Sequence, residues 1–285
     1  MAATKIIYDR IFRRYDTPAT IDGALTVMVA NRSVCRFSSG NNLLTGYHYR
    51  PSDPAKAHGL IVLVPGFCAG GDDYLWQIRS FLDYGWGVFT FDPTGTLRSQ
   101  GKNQVGFSQT IPDLEAALNY IENQANLGYN ELVLVGHSRG GYAACCILAQ
   151  NRDVSAVVSV SGVNSAMEAV MEMSVKTAGP VSYANYGFLW LYQTMLFGRE
   201  TVDLQAAEII SRQDVPVLVI HGSGDQRISV DKGSIMAHCQ ALSSVQAEYL
   251  LRDGGHTDLL YDADGTANDD LMEEIHTFLI RSTEK

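Results

Sequence analysis

The chain has 285 residues, 46% of them hydrophobic and 18% charged, which suits one large globular domain with a substantial core. Its formal charge of −10 gives no electrostatic reason to expect nucleic acid or an anionic membrane as a partner. No apolar run reaches transmembrane length and residues 1–14 lack the apolar stretch of a secretory signal, so no membrane partner is expected.

The first part reads as β. Residues 34–37 and 43–49 alternate in character across the turn-forming Ser38-Ser39-Gly40-Asn41-Asn42. After a polar connector the rhythm changes. Leu60 to Val64 is a continuous apolar run, followed by a glycine-rich loop and a helical pattern over 74–82. A strand at 88–91 precedes a helix at 111–124, with Leu114, Ala117, Leu118 and Ile121 on one face. A strand at 132–135 runs into a helix at 140–149. Three more buried-type strands fall at 154–160, 215–220 and 246–251, and a helix at 268–280 closes the chain. Apolar strands alternating with amphipathic helices predict an α/β fold: a mostly parallel sheet, helices on both faces, and antiparallel strands at the N-terminal side.

Residues 164–214 break the pattern, being far too long for an ordinary connection between helix and strand. They carry Met167, Met171, Met173, Tyr183, Tyr186, Phe188, Trp190, Tyr192, Met195 and Phe197. So apolar a segment should fold as helices over the edge of the sheet. The expected division is a core of 1–163 and 215–285 with a cap or lid at 164–214.

Gly136-His137-Ser138-Arg139-Gly140 lies between the 132–135 strand and the next helix, the setting of a nucleophile elbow. A serine hydroxyl is a weak nucleophile and needs a base, a group that orients the base, and donors for a developing oxyanion. Each role has a candidate after a later strand. Asp225, in His221-Gly222-Ser223-Gly224-Asp225, is the acid, with Asp231 and Asp253 as fallbacks. His256, after Gly254-Gly255, is the base. Backbone N–H groups of Phe67 and Arg139 are the expected oxyanion donors, with Cys68 next after Phe67. Cys68, His137 and Trp190 are candidate substrate contacts, although the variable elbow position of His137 also suits packing. Gly66-Phe67-Cys68-Ala69-Gly70 imitates a cysteine elbow, but it follows the first strand of the parallel series and would leave Ser138 without an oxyanion loop.

The five cysteines are odd in number and irregularly spaced, which suggests no disulfide framework and fits a reducing cytoplasm. No C-x-x-C, H-x-x-x-H, phosphate-loop or G-x-G-x-x-G pattern occurs, so no metal and no other cofactor is expected. A homo-oligomer is compatible with this composition.

With Pro65-Gly66, Phe91-Asp92 followed by Gly95, the Ser138 elbow, His221-Gly222 with Asp225, and Gly255-His256, the chain resembles the α/β-hydrolase fold serine hydrolases of the bacterial esterase/lipase and serine-aminopeptidase-like group. It departs from them at Gly95-Thr96-Leu97-Arg98-Ser99, where they usually have Gly-x-Gly-x-Ser. The resemblance implies an α/β-hydrolase fold and acyl transfer through an acyl-serine, on a small-molecule ester. The aromatic insertion favours small or medium apolar or aryl acyl esters, such as cinnamoyl-type esters. The same residues could serve an aminopeptidase, with Glu168, Glu172 or Glu200 holding the substrate amine. A thioesterase or acyltransferase, or a non-catalytic binding protein, are further alternatives.

Overall fold

A computed structural model of the chain describes residues 2–21, 23–124, 129–239 and 246–284. Two helices come first, α1 (Ala2–Ile11) and α2 (Gly23–Asn31), ahead of the antiparallel hairpin β1 (Ser33–Ser39) and β2 (Asn42–Tyr49). There follow β3 (Leu60–Val64), α3 (Leu75–Asp83), β4 (Gly87–Asp92), α4 (Thr110–Glu122), β5 (Leu132–His137), α5 (Arg139–Cys146) and β6 (Ala156–Val160). The 164–214 insertion holds α6 (Ala166–Ala178), α7 (Tyr186–Phe197), α8 (Arg199–Val202) and α9 (Ala206–Ile210). The chain ends with β7 (Val217–Gly222), α10 (Ile235–Cys239), β8 (Ala247–Arg252) and α11 (Asp269–Thr283).

The eight strands form one sheet in the order β1-β2-β4-β3-β5-β6-β7-β8. Only β1 with β2, and β2 with β4, pair antiparallel; the remaining pairs are parallel. Alternation of side chains splits the core between two faces. Leu60, Val62 and Val64 of β3 join the side covered by α1, α4, α5 and the insertion, and Ile61 and Leu63 join the side covered by α2, α3 and α11. β5, which leads to Ser138, lies between β3 and β6 and is buried from Val133 onward.

Two expectations need correction. The chain begins with two helices rather than with β structure, and Tyr8 of α1 and Phe12 just after it are buried. Tyr8 meets Tyr192 of α7 edge-on at 5.1 Å, and Phe12 meets Phe67 at 5.3 Å. The 246–251 strand is an edge strand, not a buried one, which leaves Tyr249 and Leu251 exposed. The 95–99 loop shows how the missing glycine is accommodated. Leu97 takes a left-handed φ of 39°, a conformation that disfavours a side chain. Its N–H donates to Tyr15 O (2.8 Å), and Arg14 hydrogen-bonds the carbonyls of Leu97, Ser99 and Gly101, so the segment after α1 holds the loop in place. No helix among the described residues is long and apolar enough to cross a membrane.

Candidate active site

The site is built where β5 turns into α5. Ser138 has φ 54° and ψ −118°, a sparsely populated conformation that lifts its side chain out of the turn. Glycine is required beside it because a Cβ at Gly140 would fall on the Val64 carbonyl, and one at Gly136 on the Gly140 carbonyl. The loops after β7 and β8 deliver Asp225 and His256 to the same end of the sheet.

These three residues are hydrogen-bonded in series. Ser138 Oγ lies 2.8 Å from His256 Nε2, and His256 Nδ1 lies 2.6 Å from Asp225 Oδ2. The remaining acceptor positions of Asp225 are also occupied. Oδ1 accepts the N–H groups of Arg227 (2.8 Å) and Ile228 (2.9 Å), and Oδ2 also faces His221 Nε2 at 3.1 Å. Burial would push this carboxyl up, but the hydrogen bonds from His221 and His256 outweigh it and hold Asp225 well below the ordinary carboxylate range. An ionised carboxylate there fixes a proton on His256 Nδ1. Nε2 is left free to take the proton of Ser138. All three residues are over nine-tenths buried. Asp253 is not at the imidazole; it accepts from Ser223 Oγ at 3.2 Å.

The loop after β3 forms the opposite wall. Among the described residues, no acceptor takes the N–H of Phe67 or of Arg139. By contrast the Cys68 N–H donates to Gln104 Oε1 (3.2 Å), and the Cys68 thiol receives Gln104 Nε2 (3.3 Å). Cys68 thereby has its N–H occupied, unlike Phe67 and Arg139. Its side chain still lines the cavity at Ser138, which has a volume of about 650 Å³ and apolar walls that include Phe67, Phe107, Met173 and Leu260.

His137 also lines this cavity, but its ring is committed to the protein. Its Nε2 lies 3.0 Å from the His256 carbonyl, which can only accept, so Nε2 carries the proton. Nδ1 is then an acceptor, and the Tyr74 hydroxyl donates to it at 2.9 Å. The Tyr74 oxygen in turn accepts the Gly66 N–H at 3.0 Å. Burial, with His256 close by, pulls the His137 pKa down to about 3, in keeping with a neutral ring. This chain of bonds ties the loop after β3, the turn from β5 into α5 and the loop after β8 together. Tyr74 was not singled out by any sequence motif; neither was Gln104.

Trp190 lies elsewhere. It lines a second cavity, of about 960 Å³, between the insertion and the acid loop, where its indole N–H donates to Asp203 (3.1 Å). Lys176 and Gln226 line both cavities. Glu168 and Glu172 line the second, while Glu200 is exposed on α8. Glu172 Oε1 already accepts from Lys176 Nζ (2.9 Å) and the Ser229 N–H (3.0 Å). Lys176 Nζ also donates to the carbonyls of Gln226 (2.7 Å) and Arg227 (2.6 Å), fastening α6 to the loop that carries Asp225.

Comparison with known proteins places this geometry in context. The sequence profile of a family described as alpha/beta hydrolase fold matches residues 59–204. No curated protein matches the chain by sequence. Among solved structures, the chain is similar to the esterase Pf2001 of Pyrococcus furiosus, with a TM-score of 0.71 and 14% identity over 94% of this chain and 99% of that one. It is also similar to Est1E of Butyrivibrio proteoclasticus, solved with ferulic acid bound, with a TM-score of 0.66 and 16% identity over 88% of this chain and 100% of that one. A third is an acylaminoacyl peptidase of Pyrococcus horikoshii, with a TM-score of 0.62 and 16% identity over 90% of this chain and 41% of that one. At such identities the likeness is one of fold.

Proposed function

The chain belongs to the α/β-hydrolase fold family, and we propose that it is a serine carboxylesterase with Ser138 as nucleophile, His256 as general base and acid, and Asp225 as the group that orients the imidazole. The observation that carries this reading is the unbroken series from Ser138 Oγ through His256 to an Asp225 held ionised. In the first half-reaction His256 Nε2 takes the Ser138 proton as Oγ attacks the ester carbonyl. The tetrahedral oxyanion accepts from the N–H groups of Phe67 and Arg139, which have no competing acceptor among the described residues. His256 then protonates the departing alcohol. Water, deprotonated by the same nitrogen, releases the acid and regenerates Ser138.

The substrate we propose is an ester of a small or medium apolar or aryl acid. A cavity of about 650 Å³ lies within the usual range for small-molecule sites, and Phe67, Phe107, Met173 and Leu260 give it an apolar lining. Ferulic acid, the ligand in the Est1E structure, is an acid of this aryl type. An aminopeptidase would need a free carboxylate for the substrate amine. None of the insertion's Glu168, Glu172 and Glu200 lines the cavity at Ser138, which favours the ester reading. We assign the 164–214 insertion the role of a cap, since its α6 supplies Met173 and Lys176 to the wall of the cavity.

Labelling with a fluorophosphonate, followed by mapping of the modified residue, tests the assignment: Ser138 is expected to react, and an unlabelled Ser138 in folded protein would overturn it. A panel of p-nitrophenyl esters set against aminoacyl anilides tests the substrate class. Faster turnover of the anilides would replace the esterase reading with a peptidase one.

A further inference from the structure

Arg139 supplies one oxyanion donor from its backbone, but its side chain has no place in that account. The guanidinium is buried to 1% exposure, and among the described residues no carboxylate lies within 4 Å of it. It does not line the Ser138 cavity, so it does not reach a substrate there directly. Its Nη2 donates to the Gly66 carbonyl at 3.3 Å, its Nε–H has no acceptor among the described residues, and its charge sits 5.6 Å from the centre of the Phe67 ring. The carboxylate that acts on it most strongly is Asp113, whose oxygens are occupied by Ser39, Thr94 and Gln109. Desolvation pulls the Arg139 pKa down to about 10, which still leaves the group charged at neutral pH. A buried cation without a paired anion is destabilising, and its retention calls for a physical reason.

That reason lies in the peptide it touches. A trans peptide is planar, and its C=O and N–H point in opposite directions. Gly66 C=O and Phe67 N–H belong to the same peptide. Pinning the carbonyl on Arg139 therefore aims the Phe67 N–H away from the guanidinium. The Gly66 N–H on the preceding peptide is pinned by Tyr74, so the loop is held on both sides of the Gly66 α-carbon. A positive charge at the carbonyl oxygen also draws electron density through the peptide and makes its N–H a stronger donor. We propose that the Arg139 side chain is a positioning residue for the oxyanion hole: it orients and polarises the Gly66–Phe67 peptide, and the negative charge of the tetrahedral transition state is the counter-charge that the resting protein withholds from it. Arg139 thus acts twice, once through its own N–H and once through the N–H of Phe67. The 3.3 Å contact is loose in the free protein, in the manner of catalytic hydrogen bonds that tighten only as the transition state forms.

The inference rests on Ser138 being the nucleophile, and the experiment separates the two. Arg139→Met removes the charge and the donor at similar volume, and Arg139→Gln keeps a neutral donor. Both are compared with wild type on an aryl ester and on its thionoester, in which sulfur, a weak acceptor, replaces the carbonyl oxygen. On the oxygen ester, Arg139→Met is expected to lower kcat by roughly 10- to 100-fold at nearly unchanged KM, less than the ~10²–10³ lost when an oxyanion donor is deleted outright. Arg139→Gln should lose less. On the thionoester both variants should stay within about 3-fold of wild type, so the oxygen-to-sulfur rate ratio falls with kcat. Equal losses on both esters would show a merely structural role and overturn the inference, as would retention of full activity on the oxygen ester. If Arg139→Met does not give a cooperative melt, Arg139→Gln carries the comparison alone. Failure of the wild type to label at Ser138 would instead overturn the proposed function and this inference with it.

Discussion

Replacing Tyr74 with phenylalanine removes one oxygen from the centre of the site and should cost the fold about 2–6 kcal/mol. The hydroxyl is buried and serves two partners at once, accepting the Gly66 N–H at 3.0 Å and donating to His137 Nδ1 at 2.9 Å. Its removal leaves a donor and an acceptor unpaired, and each buried orphan costs about 1–3 kcal/mol. The ring stays, so no cavity larger than the lost oxygen adds to the penalty. Urea unfolding should show a lower midpoint at an unchanged slope, and a cycle with His137→Phe should show a coupling of about 1 kcal/mol or more. Turnover should fall as well, because the Gly66 side of the oxyanion loop is released. A loss of stability below about 0.5 kcal/mol, with no coupling to His137, would refute the tautomer assigned to His137 and the network built on it.

Ser138→Ala and His256→Ala should each lower ester turnover by at least roughly 10⁴-fold while leaving the melting transition cooperative, and retained turnover in either would reassign that role. Gly140→Ala sets a Cβ against the backbone carbonyl of Val64, which cannot yield, so a loss of about 3 kcal/mol or more is expected, read as a lowered melting temperature or insoluble protein. His137 has a folded pKa of about 3 against an ordinary value of 6.5, so the unfolded chain takes up the proton first as pH falls. Stability is then lost between those two values, by up to about 1.4 kcal/mol per pH unit, and unfolding midpoints measured across that window should fall more steeply in wild type than in His137→Phe. Lys176→Met unfastens α6 from the Gln226 and Arg227 carbonyls, and its kcat/KM should fall by roughly 3- to 10-fold, since a modest misplacement of an orienting group is enough for that; wild-type kinetics would show that this fastening does not position the acid loop.

What could be read from the sequence was local. The alternation of apolar strands with amphipathic helices led to the parallel sheet because burial on both faces leaves no exposed position in β3, β4, β6 or β7 and makes their sequences mostly apolar. The elbow was legible for a steric reason: glycines at 136 and 140 are demanded by backbone contacts that any residue with a Cβ would violate. β8 was misjudged as buried because Tyr249, Leu250 and Leu251 make a short apolar run, and a run of that length does not say whether a further strand covers it. The opening helices were missed for a related reason. α2 is apolar nearly throughout, so it offers no 3.6-residue stripe to distinguish it from a strand, and α1 draws its stability from Tyr8 and Phe12 meeting residues more than 50 positions away.

The residues that hold the site in register are of that distant kind. Tyr74 joins Gly66 to His137, His137 joins the elbow to the His256 carbonyl, Gln104 occupies the Cys68 amide, and Arg139 reaches back to Gly66. None has a fixed sequence spacing to its partner, because each contact is made between loops that meet only when the sheet has ordered their strands. The reacting atoms can be recognised from short motifs, since strain and chemistry constrain their immediate neighbours. The supporting atoms answer only to hydrogen-bond satisfaction in the folded interior, and several residue types could meet that need. Position 97 illustrates the same point at the level of backbone: a glycine is the cheapest way to make the turn, but Leu97 makes it because Tyr15 and Arg14 bond the loop from the N-terminal segment. A departure from a family pattern therefore points to a compensating contact elsewhere in the chain, and here that contact fixes the segment after α1 against the loop that follows Asp92.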